Sequence, residues 1–592
     1  MRLKISLAQI NPKTGDITGN AAKIVGGIEQ ARSEAADLVV FPEMSLTGYC
    51  LDEKLLINLQ FLRANRDALV TRIAPACRGI AAVVGFIDFD EQRRGPDNRV
   101  VRRNAAAVIQ DGRVLQIVRK RLLPAYRYFE DKRYFEPGLE VEPVSLETRE
   151  GSVRLGVLIC EDLWDEGYEL KPTAVYAEKG TELLVAINAS PFVGSNPGRR
   201  DAKRFTRLNG LTKKASRHGI PIVYVNTVGI GDNGKNIIPY DGFSLAFDRD
   251  ARLIAALKAF AEDQQSIVLE DGRGCPVAEP PHDREAEIYA ALVMSVRDYY
   301  DKLGIFRGVL EAVSGGIDSA LGTAIAYDAM GPDLLTLYNL PSRYNSSKTQ
   351  ALARVLAANF GVPYHVIPIQ GMVDRVVEDF EKHLHPFRSP VTLENLQSRI
   401  RGLIMMAESN DRQALLLTNG NETEIALGYA TLYGDMVGGL SVIGDLPKPD
   451  VYRLARYVNR KWGRAMIPEE IFTIPASAEL KDGQVDPFDY DVVGPMMNDF
   501  TELGWSPDEL VEHFRARSLP PEKYGDGAGS LYERYTVDQF AALASRLYRT
   551  LSQSVYKRLQ GAPIIAVSDR AFGFDLRETI INGWDGGSGV TN

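Results

Sequence analysis

The stretch RGVLEAVSGGIDSALGTAIAYDAM, residues 307–330, decides how the second half of the chain folds. An apolar run, VLEAV, enters SGGIDS, and a segment rich in Ala, a strong helix former, leaves it. DLLTLYNLPS, a helical KTQALARVLAANFG and PYHVIPI follow. Strand, glycine turn, helix, strand, helix, strand predicts a parallel, doubly wound α/β sheet. At the turn, glycines without Cβ let backbone N–H groups approach an anion, and the helix N-terminus adds partial positive charge. Ser314, Gly315, Gly316, Ile317, Asp318 and Ser319 thus form a phosphate cradle. No GxxxxGK[ST] pattern occurs, so chemistry of the kinase or GTPase type is not indicated.

Upstream, residues 1–260 alternate short apolar strands with helical stretches: KISLAQI, a helix near 21–36, DLVVFPE, AAVVGFIDF, RLGVLICED, ELLVAINAS and IPIVYVNTV. Asp111-Gly112 and the DRDAR segment are hairpin signals, so this half is expected to be a sandwich containing antiparallel strands. Periodicity lapses over 261–284, rich in Asp, Gly and Pro, which is read as a linker to a second domain at 285–592. The 592 residues, 45% hydrophobic and 25% charged, are globular in composition, and the net charge of −9 argues against nucleic acid as partner. Four dispersed cysteines form no disulfide framework, and no stretch approaches 18 apolar residues. A cytoplasmic protein without a membrane partner is the expectation.

Three islands in the first half place an ionisable residue after an apolar run: LVVFPEMSLTGYC (Glu43), RKRLLPAYRYFEDKRYFEPG (Lys120) and LGVLICEDLW (Cys160). Amide hydrolysis needs a nucleophile, a base and a donor for the developing oxyanion. Cys160, Glu43 and Lys120 supply all three, although a cysteine ending an apolar strand also serves as a small buried hydrophobe.

The order of the islands resembles the nitrilase-type amidase family, which implies an α/β/β/α sandwich and, for glutamine recognition, Tyr126, Ser190 of NASPF and Arg199. An auxiliary carboxylate of that family falls on Asp131 or, one residue earlier, on Glu130.

The SGGxDS loop resembles that of ATP-dependent adenylating enzymes. ALLLTNGNETEIALGYATLYGDMVGGLSVIGDLPK, IPASAEL and YKRLQGAPIIAVSDRAFGFD are similar to the synthetase domain of the NAD synthetase family. That resemblance implies an adenine nucleotide alpha hydrolase-like fold with ATP as co-substrate and Mg²⁺ at Asp318 and Glu424. It further implies ATP contacts at Thr418, Asn419, Lys448 and Ser477, and deamido-NAD contacts at Asn395, Asp435 and Lys557. One family lysine is Leu432 here. Together the resemblances imply a glutaminase whose ammonia, passed along a shielded route, amidates adenylated deamido-NAD. They also imply a homo-oligomer, a dimer or a higher assembly such as an octamer. An amidating ligase for another acid, or a binding protein without turnover, are the rival readings.

Overall fold

The computed structural model describes residues 1–592 except 96–97, 195–202, 525–526, 583 and 585–592. It divides into two compact units: Met1–Phe192, Asp201–Asn233 and Ile238–His282 form the first, and Val193–Arg200, Gly234–Ile237 and Asp283–Asn592 the second.

In the first unit, strands β1 (Arg2–Gln9), β2 (Leu38–Val40), β3 (Ala81–Arg94), β4 (Val100–Gln110), β5 (Arg113–Arg119) and β12 (Asp263–Glu270) form one sheet, ordered β12-β1-β2-β3-β4-β5. Strands β6 (Val144–Thr148), β7 (Gly151–Ile159), β8 (Leu183–Asn188), β9 (Ile222–Asn226), β10 (Leu245–Phe247) and β11 (Leu253–Ala256) form the other, ordered β11-β10-β9-β8-β7-β6. Each sheet keeps its parallel pairs in the middle and antiparallel pairs at its edges. Period-2 alternation builds the layers. Leu3, Ile5 and Leu7 of β1 pack with Leu183, Val185 and Ile187 of β8 between the sheets. Ala8 turns outward to Ile24 and Ile28 of helix Ile17–Ser33, and Leu184 and Ala186 to Leu208 and Leu211 of helix Lys203–His218. This is the expected α/β/β/α sandwich. Asp111 and Gly112 take φ of +49° and +82° in the β4–β5 hairpin, as a tight I′-type turn requires.

The stretch 261–284, read from the sequence as a linker, holds a strand. All eight residues of β12 pair antiparallel with β1, from Arg2 opposite Glu270 to Gln9 opposite Asp263. Only Ile267 and Leu269 of β12 are buried, too weak a pattern to stand out beside its polar neighbours.

In the second unit, β13 (Val309–Ala312), β14 (Leu335–Asn339), β15 (Tyr364–Val366), β16 (Leu415–Thr418), β17 (Leu440–Ser441) and β18 (Ile564–Ile565) run parallel in the order β18-β17-β16-β13-β14-β15. Leu310, Tyr338 and Leu416 pack on one face against Val373, Ile400 and Met405 of helices Gln370–His383 and Pro390–Arg412. Helix Ile317–Met330 covers the other face, as double winding requires. The order reverses between β13 and β16, and that switch point opens the crevice where ligands of such sheets bind. Between β17 and β18 lies a helical cluster built on Val492, Met496, Leu510, Phe514, Phe540 and Leu547, an insertion the sequence reading does not separate from the sheet.

Candidate active sites

Glu43 follows β2 in a turn fastened at both ends to β3: Phe41 N–H donates to the Val83 carbonyl at 2.9 Å and Leu46 N–H to the Gly85 carbonyl at 3.1 Å. Lys120 follows β5, and its N–H donates to the Asn104 carbonyl on β4 at 2.8 Å. Cys160 stands where β7 passes into a tight helical turn, at φ +48°. That left-handed backbone is unusual for a non-glycine residue and marks a strained, aimed position.

These strand ends bring the predicted groups together. Lys120 Nζ donates to Glu43 Oε1 at 2.8 Å and to Asp131 Oδ1 at 2.7 Å. Glu43 also accepts from Asn104 Nδ2 at 2.6 Å and from the Ala189 N–H at 2.8 Å, and Asp131 accepts from the Tyr49 hydroxyl at 2.6 Å. Between the two candidate carboxylates the structure discriminates: Asp131 is buried on Lys120, while Glu130 lies toward Arg133. Burial pushes the Glu43 carboxyl above its ordinary value against the opposing pull of Lys120, and the Asp131 charge adds to the rise. Burial opposes the Lys120 charge, but Asp131 and Glu43 outweigh it and hold the ammonium well above its usual range. Burial and Glu43 raise the Cys160 thiol, which also lies within the fields of Lys120, Glu161 and Lys203. A resting thiol beside a base is the outcome.

Around Cys160, Glu161 accepts from the hydroxyls of Tyr126 and Tyr168, each at 2.8 Å. Ser190 is fixed by its backbone: Asn226 accepts from its N–H at 2.8 Å, and Arg207, paired with Asp241, donates to its carbonyl at 2.9 Å. Arg199 lies outside the described residues. A basic group missed by the sequence reading is Lys203, opening helix Lys203–His218, whose ammonium burial lowers to about 8 within the field of Cys160. Its only signal in the sequence is its place at the start of the helix that follows NASPF, with Leu208, Leu211 and Ala215 spaced along one helical face.

In the second unit a cavity of about 580 Å³ opens at the ends of β13, β14 and β16. Ser314, Gly316, Ile317, Asp318, Ser319, Thr418, Asn419, Glu424, Asp435, Lys448 and Ser477 line it, as the sequence reading grouped them. Gly315 is not in the wall. It takes φ +87° with the Thr349 carbonyl where a Cβ would sit, so only glycine passes there. Ser314 and Ser319 hydroxyls lie 3.4 Å apart and brace the loop. Lys448 Nζ donates to Asp318 Oδ2 at 2.5 Å and Glu424 Oε1 at 3.2 Å, and Asn421 Nδ2 to Asp318 Oδ1 at 2.9 Å. Asn395 and Lys557 stand behind this wall. Asn395 accepts from the Thr431 hydroxyl at 2.8 Å, and Lys557 donates to the Gly428 and Ala430 carbonyls at 2.8 and 3.0 Å, bracing the loop that carries Asp435. Among the described residues no cluster of three or more His, Cys, Asp or Glu could hold a metal by itself. Two carboxylates already converging on a cation suit Mg²⁺, which ordinarily takes one or two carboxylates and completes its shell with phosphate oxygens and water.

One unit holds a buried Cys160, Glu43 and Lys120 and the other a cavity walled by a strand-to-helix glycine loop, a pairing that fits an amidotransferase. Residues 4–270 match the carbon-nitrogen hydrolase family and 288–529 the NAD synthase family. The glutamine-dependent NAD(+) synthetase of Thermotoga maritima is 35% identical over 623 residues, covering 98% of this chain and 99% of its own. That of Synechocystis is 35% identical over 594 residues, covering 97% and 98%. The structure of the Acinetobacter baumannii enzyme, in complex with ADP, has a TM-score of 0.72 at 31% identity over 99% of both chains. The Cytophaga hutchinsonii synthetase shares the fold, with a TM-score of 0.78 at 20% identity over 98% of both chains.

The chain belongs to the glutamine-dependent NAD(+) synthetase family. It is a ligase that uses ATP as co-substrate to convert deamido-NAD to NAD, with glutamine as amide donor.

Proposed function

We propose that Cys160, Glu43 and Lys120 hydrolyse glutamine and that the cavity at 314–319 adenylates deamido-NAD. The observation that carries this reading is the buried Glu43–Lys120–Asp131 network beside Cys160. Glu43 takes the thiol proton as sulfur attacks the side-chain amide carbon. Lys120 spends two N–H bonds on carboxylates and keeps a third for the oxyanion. Collapse forms a thioester and releases ammonia, which takes the proton from Glu43. A water deprotonated by Glu43 then frees glutamate. Tyr126, Ser190 and Glu161 suit the amino-acid end of glutamine, and Lys203 and Arg199 its carboxylate.

At the other site, the deamido-NAD carboxylate attacks the α-phosphorus of ATP, pyrophosphate leaves, and ammonia displaces AMP from the acyl adenylate. Backbone N–H groups of the 314–319 loop, Lys448 and Ser477 suit the phosphates and Thr418 and Asn419 the nucleotide, in keeping with the ADP complex of the Acinetobacter relative. Asp435, with Asn395 and Lys557 bracing its loop, suits the dinucleotide. Asp318 and Glu424 would hold Mg²⁺, which supplies charge neutralisation at the pyrophosphate when bound. Incubation with ATP, Mg²⁺, glutamine and deamido-NAD should yield NAD, AMP, pyrophosphate and glutamate. Failure of AMP to appear would overturn the adenylation step.

The glutaminase part is assigned to the first unit, which extends past the 1–260 read from the sequence to take in strand β12 and ends at His282, and the synthetase part to 285–592. Exposed Met372, Val376, Leu384, Val391 and Leu403, on or beside the two helices covering one face of the synthetase sheet, favour a homo-oligomer with point symmetry. No helix among the described residues is long and apolar enough to cross a membrane, and the four free cysteines suit the reducing cytoplasm.

A further inference from the structure

A carboxylate stands inside the central strand of the synthetase sheet. Glu311 of β13 is fully buried, turned away from the Leu310 face toward helix Ile317–Met330. It does not line the nucleotide cavity. Its Oε1 accepts from Asn419 Nδ2 at 2.7 Å, and this bond ties β13 to the segment that leaves the neighbouring strand β16. Burial holds the carboxyl up at about 8, against the pull of its bonds with Asn419 and with Thr323 of the covering helix. Room for the pair exists because helix position 322 is glycine: a Cβ there would lie 2.4 Å from Glu311 Oε1 and 2.2 Å from Asn419 Oδ1. Glu311, Asn419 and Gly322 are therefore sterically matched across two strands and a helix.

The segment so anchored, Asn419 to Glu424, carries the site. Asn421 donates to Asp318 and caps helix Glu422–Leu427, from whose first turn Glu424 meets Lys448. We propose that Glu311 is a positioning residue of the adenylating site, which holds Asn419 from behind the phosphate loop and so fixes Asn421 and Glu424 against Asp318 and Lys448. The proposal rests on the reading of this cavity as the ATP site.

The test uses the full-length enzyme with ammonium chloride as nitrogen source, so that the glutaminase is bypassed, and measures KM for ATP, kcat and the thermal melt. Glu311→Gln keeps an acceptor for Asn419 and should stay within about two-fold of wild type in kcat/KM for ATP. Glu311→Leu loses the anchor and should lower it by about ten-fold, the equivalent of one net hydrogen bond. Gly322→Ala disturbs the pair without removing it. Alanine is the better helix former, so a helix effect would raise stability, whereas the proposal expects a weaker kcat/KM for ATP. Glu311→Ala in the Gly322→Ala background vacates the space beside Asn419, so that the amide, the nearer of the two contacts, can draw back from the new methyl, leaving no further loss than Glu311→Ala causes by itself. Unchanged ATP kinetics in both Glu311→Leu and Gly322→Ala, or equal damage from Gln and Leu at 311, would overturn the proposal. A wild-type enzyme that makes no NAD from ATP, ammonium and deamido-NAD would instead overturn the underlying reading of the cavity.

Discussion

At the proposed glutaminase site Lys120 lies between Glu43 and Asp131 with all three side chains closed off from water, whereas at the proposed synthetase site Lys448 bridges Asp318 and Glu424 in the wall of a cavity of about 580 Å³. The motif is the same, one ammonium between two carboxylates, yet the carboxylate side chains are 0% exposed in the first case and 21% and 19% in the second. A closed network suits a small substrate and a proton that must go to one place, since low dielectric strengthens each interaction and reorganisation costs little. A half-open one suits the proposed site, whose charges would rearrange: phosphates would draw the Lys448 ammonium, and a divalent cation would take the carboxylate oxygens that Lys448 now holds. Burial is thus the variable in which the two networks differ, as the proposed division into a fixed network and an exchangeable one requires.

The sharpest break between the two sites is Cys160→Ala, which should cut glutamine-driven NAD formation by roughly 10⁴–10⁶-fold while leaving ammonium-driven formation intact. Loss of both activities in a cooperatively melting variant would contradict the division of labour. Asp318→Asn is the converse: NAD formation should fail with either nitrogen source, with pyrophosphate release as the readout, while a wild-type rate of release would make Asp318 peripheral. Lys120→Met should lose about 10²–10³-fold in glutamate release. It leaves two buried carboxylates without their cation, so its melt should fall by about 3–5 kcal/mol of stability, far more than any single surface change. A stable variant would mean the network tolerates exchange after all.

A pH profile sharpens the comparison further. Because Glu43 binds its proton at a higher pH than an ordinary carboxylate, glutaminase kcat/KM should fall on the acid side from above the usual carboxyl range. Asp131→Asn removes a charge that raises Glu43, so the acid limb should move to lower pH, and an unmoved limb would assign it to another group. The smallest expected effect is Tyr49→Phe, which deletes one hydrogen bond to Asp131 for about 1 kcal/mol in a thermal melt, with glutamate release within a few-fold.

Much of this arrangement is legible before any coordinates. SGGIDS between an apolar strand and an Ala-rich helix specifies a parallel sheet with a glycine turn at the helix N-terminus because local backbone preferences carry the instruction. Glu43, Lys120 and Cys160 stand out because each follows a strand-like run: Glu43 and Cys160 follow β2 and β7 in the parallel middles of the two sheets, and Lys120 follows the antiparallel edge strand β5. Strand β12 is less visible, since it is polar on most of its length and its partner β1 lies at the far end of the first unit's sequence.

The sequence by itself therefore determined the two-part α/β architecture, the three candidate groups Glu43, Lys120 and Cys160 and the glycine loop at 314–319, all encoded in short-range periodicity and in residue chemistry at strand ends. Tertiary structure decided what depends on the direction of a side chain or on distant pairing. Asp131 rather than Glu130 meets Lys120, since a shift of one residue re-aims a carboxylate, and Lys203 reaches the field of Cys160 only through the placement of its helix. Asn395 and Lys557 brace a loop instead of lining the cavity, and Glu311 meets Asn419 only because two strands distant in sequence lie side by side under a glycine.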